Sequence, residues 1–262
     1  MTHTQHTSFS LLLHRVFWLG LACLFLAPTV ALAQSSSLVQ VQTQVRQAYV
    51  LNQPDQLRQA VRALAADPQP NSDSWQSQSL LAQYQLVGRC LETEDCDDVE
   101  ALLLAAEKQV EAWLSREPTS AEAHVMLAGF LGMRINYSPS RAIFLGPKSL
   151  KHLEKAEQLN PNEPQLWVEK GNYAFHAPSW FGGDKKKAEA HFQRASDLYA
   201  QLPLAEQSWL ALYAGVYLAK SQLANGKTQA AIATYEKLLQ QEPGFWWVKT
   251  VLLPEVRKQA GK

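Results

Sequence analysis

Apolar residues recur at helical spacing along the chain beyond residue 34, in blocks of about 12 to 20 residues separated by Pro or Gly. No segment shows the sustained alternation of apolar and polar positions that a half-buried strand would need. The short loops favour antiparallel packing of neighbouring helices in an all-α protein. The pattern predicts helices at 36–51, 55–66, 73–89, 97–116, 120–135, 147–159, 164–175, 184–200, 205–224, 228–241 and 245–259.

The residues that separate these blocks follow a repeated pattern. SREPTSAEAHVMLAGF (115–130), QLNPNEPQLWVEKGNYAF (158–175) and LLQQEPGFWWV (238–248) each contain a helix end, a Pro and the start of a new helix. In YAGVYLAKSQLANGKTQAAIATYEKLLQQE (213–242) an Asn-Gly turn separates two helices, and the second carries small Ala231 and large Tyr235. This pattern resembles the tetratricopeptide repeat (TPR), a helix–turn–helix unit closed by Pro. Ala219 stands at its small first-helix position, whereas Leu238 replaces the expected final Ala.

The same template fits two further units, each with an enlarged turn between its helices. Residues 164–203 match it at Trp167, Gly171, Ala188, Phe192 and Ala195, with about five extra residues in the turn. Residues 121–161 match it with an enlarged turn at 136–149, and the pairs 36–68 and 73–118 match it more faintly. The resemblance implies an α-solenoid of antiparallel helix pairs, a TPR-like superhelix, in which each unit stacks on the next.

The predicted C-terminal helix, 245–259, would cap the last helix pair with Phe245, Trp246 and Trp247 packed inward. The long turns are also similar to those of exported bacterial repeat proteins, among them the T component associated with some tripartite ATP-independent periplasmic transporters. We therefore expect divergent helical repeats over 34–118, followed by TPR-like repeats and the capping helix over 119–262.

The first 33 residues have the layout of a secretory signal peptide. Arg15 precedes an apolar run, 16–27, that is shorter than the roughly 20 residues needed to cross a bilayer. Pro28 ends this run, and the small residues of 31–33 form a cleavage site. We expect cleavage after Ala33 and a periplasmic or secreted mature chain without a transmembrane helix. Lipidation at Cys23 remains an alternative, although this residue lies inside the apolar run.

Two cysteines follow the predicted cleavage site, in CLETEDC (90–96). On one continuous helix, Cys90 and Cys96 would lie about 9 Å apart along the axis and on different faces, too far to bond. The acidic segment between them favours an interhelix loop, in which a disulfide is feasible in an oxidising compartment. Such a ring would contribute roughly 2 kcal/mol. The alternative is half of a metal site, which lacks a nearby His.

Charge is balanced overall and unevenly distributed. The chain has 24 basic and 24 acidic side chains, with 6 basic and 13 acidic over 34–130 and 17 basic and 11 acidic over 131–262. A basic excess spread over about 130 residues does not indicate a nucleic-acid partner. It predicts a head-to-tail dipole on an elongated molecule.

The glycines and lysines of FGGDKKK (181–187) raise the possibility of a phosphate-binding loop. That loop needs a preceding strand and the spacing G-x-x-x-x-G-K-[ST], and neither is present here. A turn explains the stretch better, with positive φ at Gly182 and Gly183 and with Asp184 as the helix N-cap. Three lysines in a first helical turn oppose the helix dipole, which an anionic partner would offset.

Catalytic motifs are missing from the sequence. The histidines beyond the signal peptide (124, 152, 176 and 191) include no i, i+4 pair, and neither H-E-x-x-H nor G-x-S-x-G occurs. We therefore expect no enzyme activity, no metal site and no cofactor.

Binding is the more promising function. In the resembled family, first helices line the concave surface, and carrying those positions over predicts Met126, Phe130 and Arg134, then Gln165, Glu169, Asn172 and His176, then Tyr213, Tyr217 and Lys220. The exposed aromatics of the enlarged turn, Trp180 and Phe181, complete the set. The two-carboxylate clamp of some chaperone-binding members is not reproduced. We expect a scaffold or adaptor that binds another protein or peptide in the cell envelope; the alternative is a transport-associated periplasmic protein that binds a small ligand.

Overall fold

The computed structural model describes residues 27–66, 72–93, 96–203 and 206–261, with side chains from residue 38 onward. The chain divides into two compact units, 1–40 and 41–262. Of the first unit, only 27–40 are described, as the beginning of a helix. Residues 16–26 of the apolar run, including Cys23, lie outside the described residues, so cleavage after Ala33 stays a prediction. Pro68, at the end of the predicted pair 36–68, also lies outside them.

Helices account for nearly all of the described chain, and no strand occurs within it. They are α1 (Ala27–Val50), α2 (Pro54–Ala66), α3 (Asp73–Thr93), α4 (Val99–Arg116), α5 (Ala121–Tyr137), α6 (Ala142–Leu159), α7 (Pro164–His176), α8 (Lys185–Tyr199), α9 (Trp209–Ala224), α10 (Thr228–Gln241) and α11 (Leu253–Ala260). None of these described helices is long and apolar enough to cross a membrane.

Consecutive helices pack in pairs, α3 with α4, α5 with α6, α7 with α8, and α9 with α10. The first helices of these pairs also lie side by side, because α3 contacts α5, α5 contacts α7, and α7 contacts α9. The predicted all-α solenoid of helix pairs is therefore confirmed.

The helices begin where the sequence supplies a side chain to cap them. Asp98, Ser120, Asp184 and Ser208 each accept a hydrogen bond from a backbone N–H in the following turn. These N–H groups have no partner within the helix, so each cap stabilises its helix start by about 1 kcal/mol.

The residues that carry the TPR resemblance form the contacts within the pairs. Ala188, Phe192, Ala231 and Tyr235 are all fully buried. A Cβ atom placed on Gly171 would lie 2.8 Å from the Phe192 ring, closer than real side chains approach. The small first-helix residue is therefore what lets the aromatic side chain of the second helix pack against its backbone.

The turn before α6 is much shorter than the sequence predicted. A single 3₁₀ turn, Pro139–Arg141, leads directly into α6 at Ala142, so most of the predicted loop 136–149 is helical. Pro147 lies in the second turn of α6, where it removes one backbone hydrogen bond without ending the helix. The extra helical residues place Ile143 and Phe144 in solvent.

The C-terminal capping helix forms where the sequence predicted it. One of its three predicted inward contacts is missing. Residues 246–260 are helical, with a π-helical segment at Val248–Leu252, and α11 packs on α10. Phe245 is fully buried and Trp247 half-buried, whereas Trp246 is 43% exposed. The prediction that all three pack inward is wrong for Trp246, because adjacent residues in a helix point about 100° apart.

Within the second unit, the end of α1 contacts the last repeat. Arg46 forms an ion pair with Glu242 at 2.8 Å and donates hydrogen bonds to the carbonyl oxygens of Gln207 and Ser208, both at 3.2 Å. The Tyr49 ring centroid lies 5.1 Å from that of Trp209. This closed arrangement of residues 41–262 differs from the elongated one that the charge distribution suggested.

Closure also brings α3 against α9. The Trp209 indole N–H donates to the carbonyl oxygen of Leu81 at 3.3 Å, and its ring lies 6.1 Å from that of Tyr84. The first helices of the pairs therefore curve tightly enough for the α3–α4 pair to meet the last pair, α9–α10.

The predicted disulfide between Cys90 and Cys96 is present, with the two Cα atoms 5.3 Å apart. Cys90 lies in the last turn of α3 and is buried, and Cys96 follows the end of that helix. Because the bond crosses from a helix to the segment after it, the limit that applies to a continuous helix does not apply here.

We expect thiol alkylation of the denatured, unreduced exported protein to label no cysteine, and labelling after reduction to modify two. A third labelled thiol after reduction would be Cys23 and would show that the first 33 residues are retained. Two reactive thiols before reduction would contradict the disulfide.

We expect Arg46→Ala to lower the free energy of unfolding by about 2–3 kcal/mol, since it leaves a partly buried carboxylate and two carbonyl groups without their donor. Urea denaturation followed by tryptophan fluorescence measures this loss. Arg62→Ala, at an exposed position on α2, is the control and should change stability by less than about 0.5 kcal/mol. Equal stability of the two variants would contradict closure by Arg46.

Candidate functional site

Aromatic side chains of α3, α7 and α9 line the inner surface of the curved array. Tyr213 and Tyr217 stack with their ring centroids 4.4 Å apart, and Trp209 lies edge-on to Tyr213 at 5.8 Å. Phe175 and His176 at the end of α7 lie 5.5 Å and 5.6 Å from the Tyr217 ring. The predicted residues His176, Tyr213 and Tyr217 are thus brought together in one continuous aromatic lining.

A chain of hydrogen bonds crosses this lining. The Tyr213 hydroxyl donates to Asn172 Oδ1 at 2.9 Å, and Asn172 Nδ2 donates to Glu169 Oε2 at 3.2 Å. Glu169 Oε1 is buried without a hydrogen-bond partner among the described residues. Gly129 leaves the space for this carboxylate, because a Cβ atom there would lie 3.0 Å from Glu169 Oε1. The predicted residues Glu169, Asn172 and Tyr213 therefore form one buried polar cluster.

Burial governs the charge of Glu169. Loss of solvation raises the pKa of this carboxyl group to about 7, and the polar groups of Asn172 and Tyr84 offset only part of the increase. The side chain is therefore partly protonated at neutral pH. Its role in the described structure is internal, since it has little contact with solvent.

Several predicted binding residues pack against neighbouring helices instead. Gln165 is buried and donates a hydrogen bond to the Met126 sulfur at 3.3 Å, and both Met126 and Phe130 are fully buried. Arg134 forms an ion pair with Glu107 at 2.7 Å, which joins α5 to α4. These side chains pack between helices because the first helices of the pairs curve tightly.

Beside the ends of the aromatic lining, basic and aromatic side chains form a partly open surface that we call the basic mouth: Phe175, His176, Lys185, Tyr217, Lys220 and Trp247. The Lys220 ammonium group lies 4.7 Å from the Tyr217 ring centroid and 4.4 Å from that of Trp247. Lys185 Nζ lies 3.7 Å from the Phe175 ring centroid. Of the predicted residues, His176, Tyr217 and Lys220 lie here.

The histidine of the mouth is held in its neutral form. Partial burial, followed by the ammonium groups of Lys185 and Lys220, lowers the pKa of His176. The residue nevertheless has an accessible surface at the mouth. The positive charge of the mouth at neutral pH therefore comes from its two lysines.

The turn between α7 and α8 holds Trp180 and Phe181 in solvent. The Tyr173 hydroxyl donates to the Phe181 carbonyl oxygen, and Gly183 N–H donates to the Pro178 carbonyl oxygen at 3.0 Å. Of the two glycines in this turn, only Gly182 has positive φ, at 92°. Gly183 is required for space instead, because a Cβ atom there would lie 1.8 Å from the Ala177 carbonyl oxygen. The stretch is a turn with Asp184 capping α8, as predicted, although Gly183 does not have the positive φ that was predicted for it.

Two consecutive turns of the array carry exposed apolar side chains. Trp180 is 80% exposed in the turn between α7 and α8, and Phe144 is 79% exposed near the turn between α5 and α6. We call the set the apolar rim: Tyr137, Ile143, Phe144, Trp180 and Phe181. Single exposed apolar residues are common on proteins, whereas a set on adjacent turns is typical of an interaction surface.

Two histidines that show no motif spacing in the sequence lie in contact in the structure. His124 Nδ1 and His152 Nδ1 lie 2.8 Å apart, and His124 Nε2 lies 3.1 Å from the Pro118 carbonyl oxygen. Burial, then the neighbouring His124 and two lysines, lowers the pKa of His152 to about 4. A neutral pair satisfies these contacts, with His152 donating to His124 and His124 donating to Pro118. No group of three metal-ligating side chains occurs in the described ranges.

Sequence reasoning missed Glu92 and Trp247 as residues that border the mouth. Trp247 was assigned only to the packing of the cap, and Glu92 belongs to a weakly matching repeat. No signal in the sequence links either residue to Lys220, because their proximity depends on how the helix pairs curve.

Comparison with known proteins supports the fold alone. No family model matches the chain, and no curated protein matches it significantly by sequence. Among solved structures, the thermophilic TPR protein TTC0263 of Thermus thermophilus is similar at a TM-score of 0.52 and 19% identity, covering 84% of this chain and 97% of that one. The HusA haemophore of Porphyromonas gingivalis is similar at a TM-score of 0.52 and 18% identity, covering 72% and 93%. The chain thus has a TPR-like fold.

We expect Glu169→Gln to alter how stability depends on pH. A carboxyl group whose pKa is raised on folding stabilises the protein below its unfolded pKa, and this contribution is lost as pH rises through about 7. The free energy of unfolding of the natural protein, relative to the variant, should fall by about 2.5 kcal/mol between about pH 5 and pH 8.

Urea denaturation at a series of pH values measures this difference, and the shifts of other groups cancel because both proteins share them. Glu154→Gln, at an exposed position on α6, is the control and should change stability by less than about 0.5 kcal/mol. Parallel curves for the natural protein and Glu169→Gln would show that Glu169 is ionised in the folded state.

Proposed function

We propose that this TPR-like protein is an exported scaffold or adaptor that binds another protein in the cell envelope. The observation that carries the proposal is the apolar rim. Its side chains lie at or near the turns of two consecutive helix pairs, and they are exposed to solvent. Aromatic residues of this kind supply most of the binding energy at many protein interfaces.

Side chains fill the inner surface of the array, which also favours binding at the apolar rim. Tyr49 contacts both Trp209 and Phe245 where α1 meets the last repeat. Glu169 and Gln165, which lie on the first helices, are buried. A peptide bound along this surface would have to displace these contacts, whereas a partner at the rim displaces only water.

The rim is also held in place before binding. The Tyr173–Phe181 hydrogen bond and the cap at Asp184 fix the turn that carries Trp180. An ordered backbone loses less conformational entropy on binding than a mobile one, which increases affinity for a given contact area. These contacts support a role for the rim in recognition.

Export is the second part of the proposal. It rests on the signal-peptide pattern of the first 33 residues and agrees with the Cys90–Cys96 disulfide, since such bonds persist in oxidising compartments. Within the envelope, the resemblance of the turns to those of the T component of periplasmic transporters makes a transport complex one place for the adaptor to act.

A second candidate function is the binding of a small ligand in association with transport. The basic mouth favours it, because ammonium groups lie beside Phe175 and Trp247, which remain partly open to solvent. HusA, which shares the fold, is a haemophore. Retention of a small molecule in native mass spectrometry of the purified protein would favour this function.

We expect the double variant Trp180→Ala, Phe181→Ala to lose the stoichiometric partner that the natural protein captures from an envelope extract. Removal of two exposed aromatic side chains should weaken binding by about 2 kcal/mol or more, about 30-fold, with little loss of stability. Pull-down with quantitative proteomics measures the captured partner, and circular dichroism checks folding.

Leu104→Ala is the matched control, because Leu104 is a large apolar side chain on α4 that is 46% exposed and lies outside the rim. It should capture the partner normally. The proposal fails when the natural protein captures no partner, or when the folded double variant keeps every partner.

A further inference from the structure

We propose that the basic mouth binds a small organic anion, with a carboxylate or sulfonate group between Lys185 and Lys220 and a flat apolar body against Phe175 and Trp247. The inference is independent of the protein partner, which concerns the apolar rim. It gives the second candidate function a site and a ligand class.

Lys220 is the first observation. It lies on α9, half-buried, with its ammonium group between the faces of Tyr217 and Trp247. Among the described residues, no carboxylate lies within 4 Å of this group, and the acidic side chain that influences it most is Glu92. A half-buried cation that contacts only aromatic faces keeps donor capacity for a further partner.

The second observation is that another ammonium group faces the same surface. Lys185 contacts the face of Phe175 and donates a hydrogen bond to the Phe175 carbonyl oxygen, which leaves two N–H donors. Lys185 and Lys220 both act on His176, which lies beside Phe175 and Tyr217. The two cations therefore border the same aromatic wall.

Charge at the mouth is net positive. Glu92 is the carboxylate that acts on Lys220, and Arg89 lies near Glu92, with its guanidinium group donating to Asn52 Oδ1 at 2.6 Å. The positive groups are Lys185, Lys220 and Arg89, and His176 is neutral at pH 7. Among the described residues, neither Lys185 nor Lys220 has an ion-pair partner within 4 Å, which favours an anionic ligand.

The aromatic residues decide what kind of anion fits. A small inorganic ion would contact the ammonium groups and leave the exposed parts of Phe175 and Trp247 in water. An organic anion with a flat apolar body covers them and combines stacking with charge pairing. Lysines bind such a head group as point charges and do not require the paired geometry of an arginine fork.

The test uses two fluorescent probes that differ only in charge: anilinonaphthalene sulfonate and its uncharged parent, N-phenylnaphthylamine. We expect one molecule of the sulfonate to bind the full-length mature protein. Lys220→Met, which keeps the apolar stem, should weaken sulfonate binding by about tenfold or more and change N-phenylnaphthylamine binding by less than about twofold.

Lys185→Met should also weaken sulfonate binding, and because Lys185 is exposed this variant does not depend on tolerance of a change in the packed interior. Lys186→Met, the neighbouring exposed lysine of α8, is the matched control and should bind like the natural protein. Equal binding of the sulfonate by all four proteins overturns the proposal, as does an equal loss for both probes.

The envelope pull-down separates this result from the protein-partner proposal. Lys220→Met retains Trp180 and Phe181, so it should capture the partner normally. Loss of sulfonate binding with normal partner capture supports the mouth as a separate ligand site. Loss of both in a folded variant would contradict that separation.

Discussion

A single helix pair in this protein can bury only one of its two apolar surfaces within itself. The other surface must be covered by the next pair, and this requirement determines both the stacking order and the need for a cover at each end. Close approach makes the stacking possible. Phe192 packs on the backbone at Gly171, and Leu238 packs in the same way at Gly215, where a Cβ atom would lie 2.7 Å from the leucine methyl group. At the C-terminal end, α11 covers α10.

The tight stacking also explains where binding surfaces remain. TPR-like arrays are generally expected to offer their inner surface, yet here that surface holds stacked tyrosines, the Trp209 contacts and a buried carboxylate. What stays accessible lies at the turns and beside the ends of the first helices. The apolar rim and the basic mouth are both at such positions, and they differ in chemistry: one is aromatic and uncharged, the other aromatic and cationic.

The helical periodicity was enough to predict the fold, because both the pairing of neighbouring helices and the small-residue positions are local properties of the sequence. Local reasoning also identified Asp184 as a cap and Trp180 as exposed. It failed at Ala142–Phe144, where Pro147 suggested a loop and the helix instead begins five residues before it. It could not detect the Arg46–Glu242 contact, the His124–His152 pair or the approach of Trp247 to Lys220, since each depends on the curvature of the whole array. For the same reason, Gln165 and Arg134 were assigned to a surface that the curvature closes.

The contact between Arg46 and Glu242 joins residues that are 196 positions apart in the chain. Helix pairs of this kind form through local contacts, whereas a long-range contact must wait until the chain between its ends is ordered. Synthesis delivers the N-terminus first, so α1 is made long before the segment that it contacts. Until the last repeat arrives, Tyr49 and the neighbouring apolar positions of α1 lack their native cover. The native cover of α1 therefore forms only when the last repeat, with Glu242, is in place.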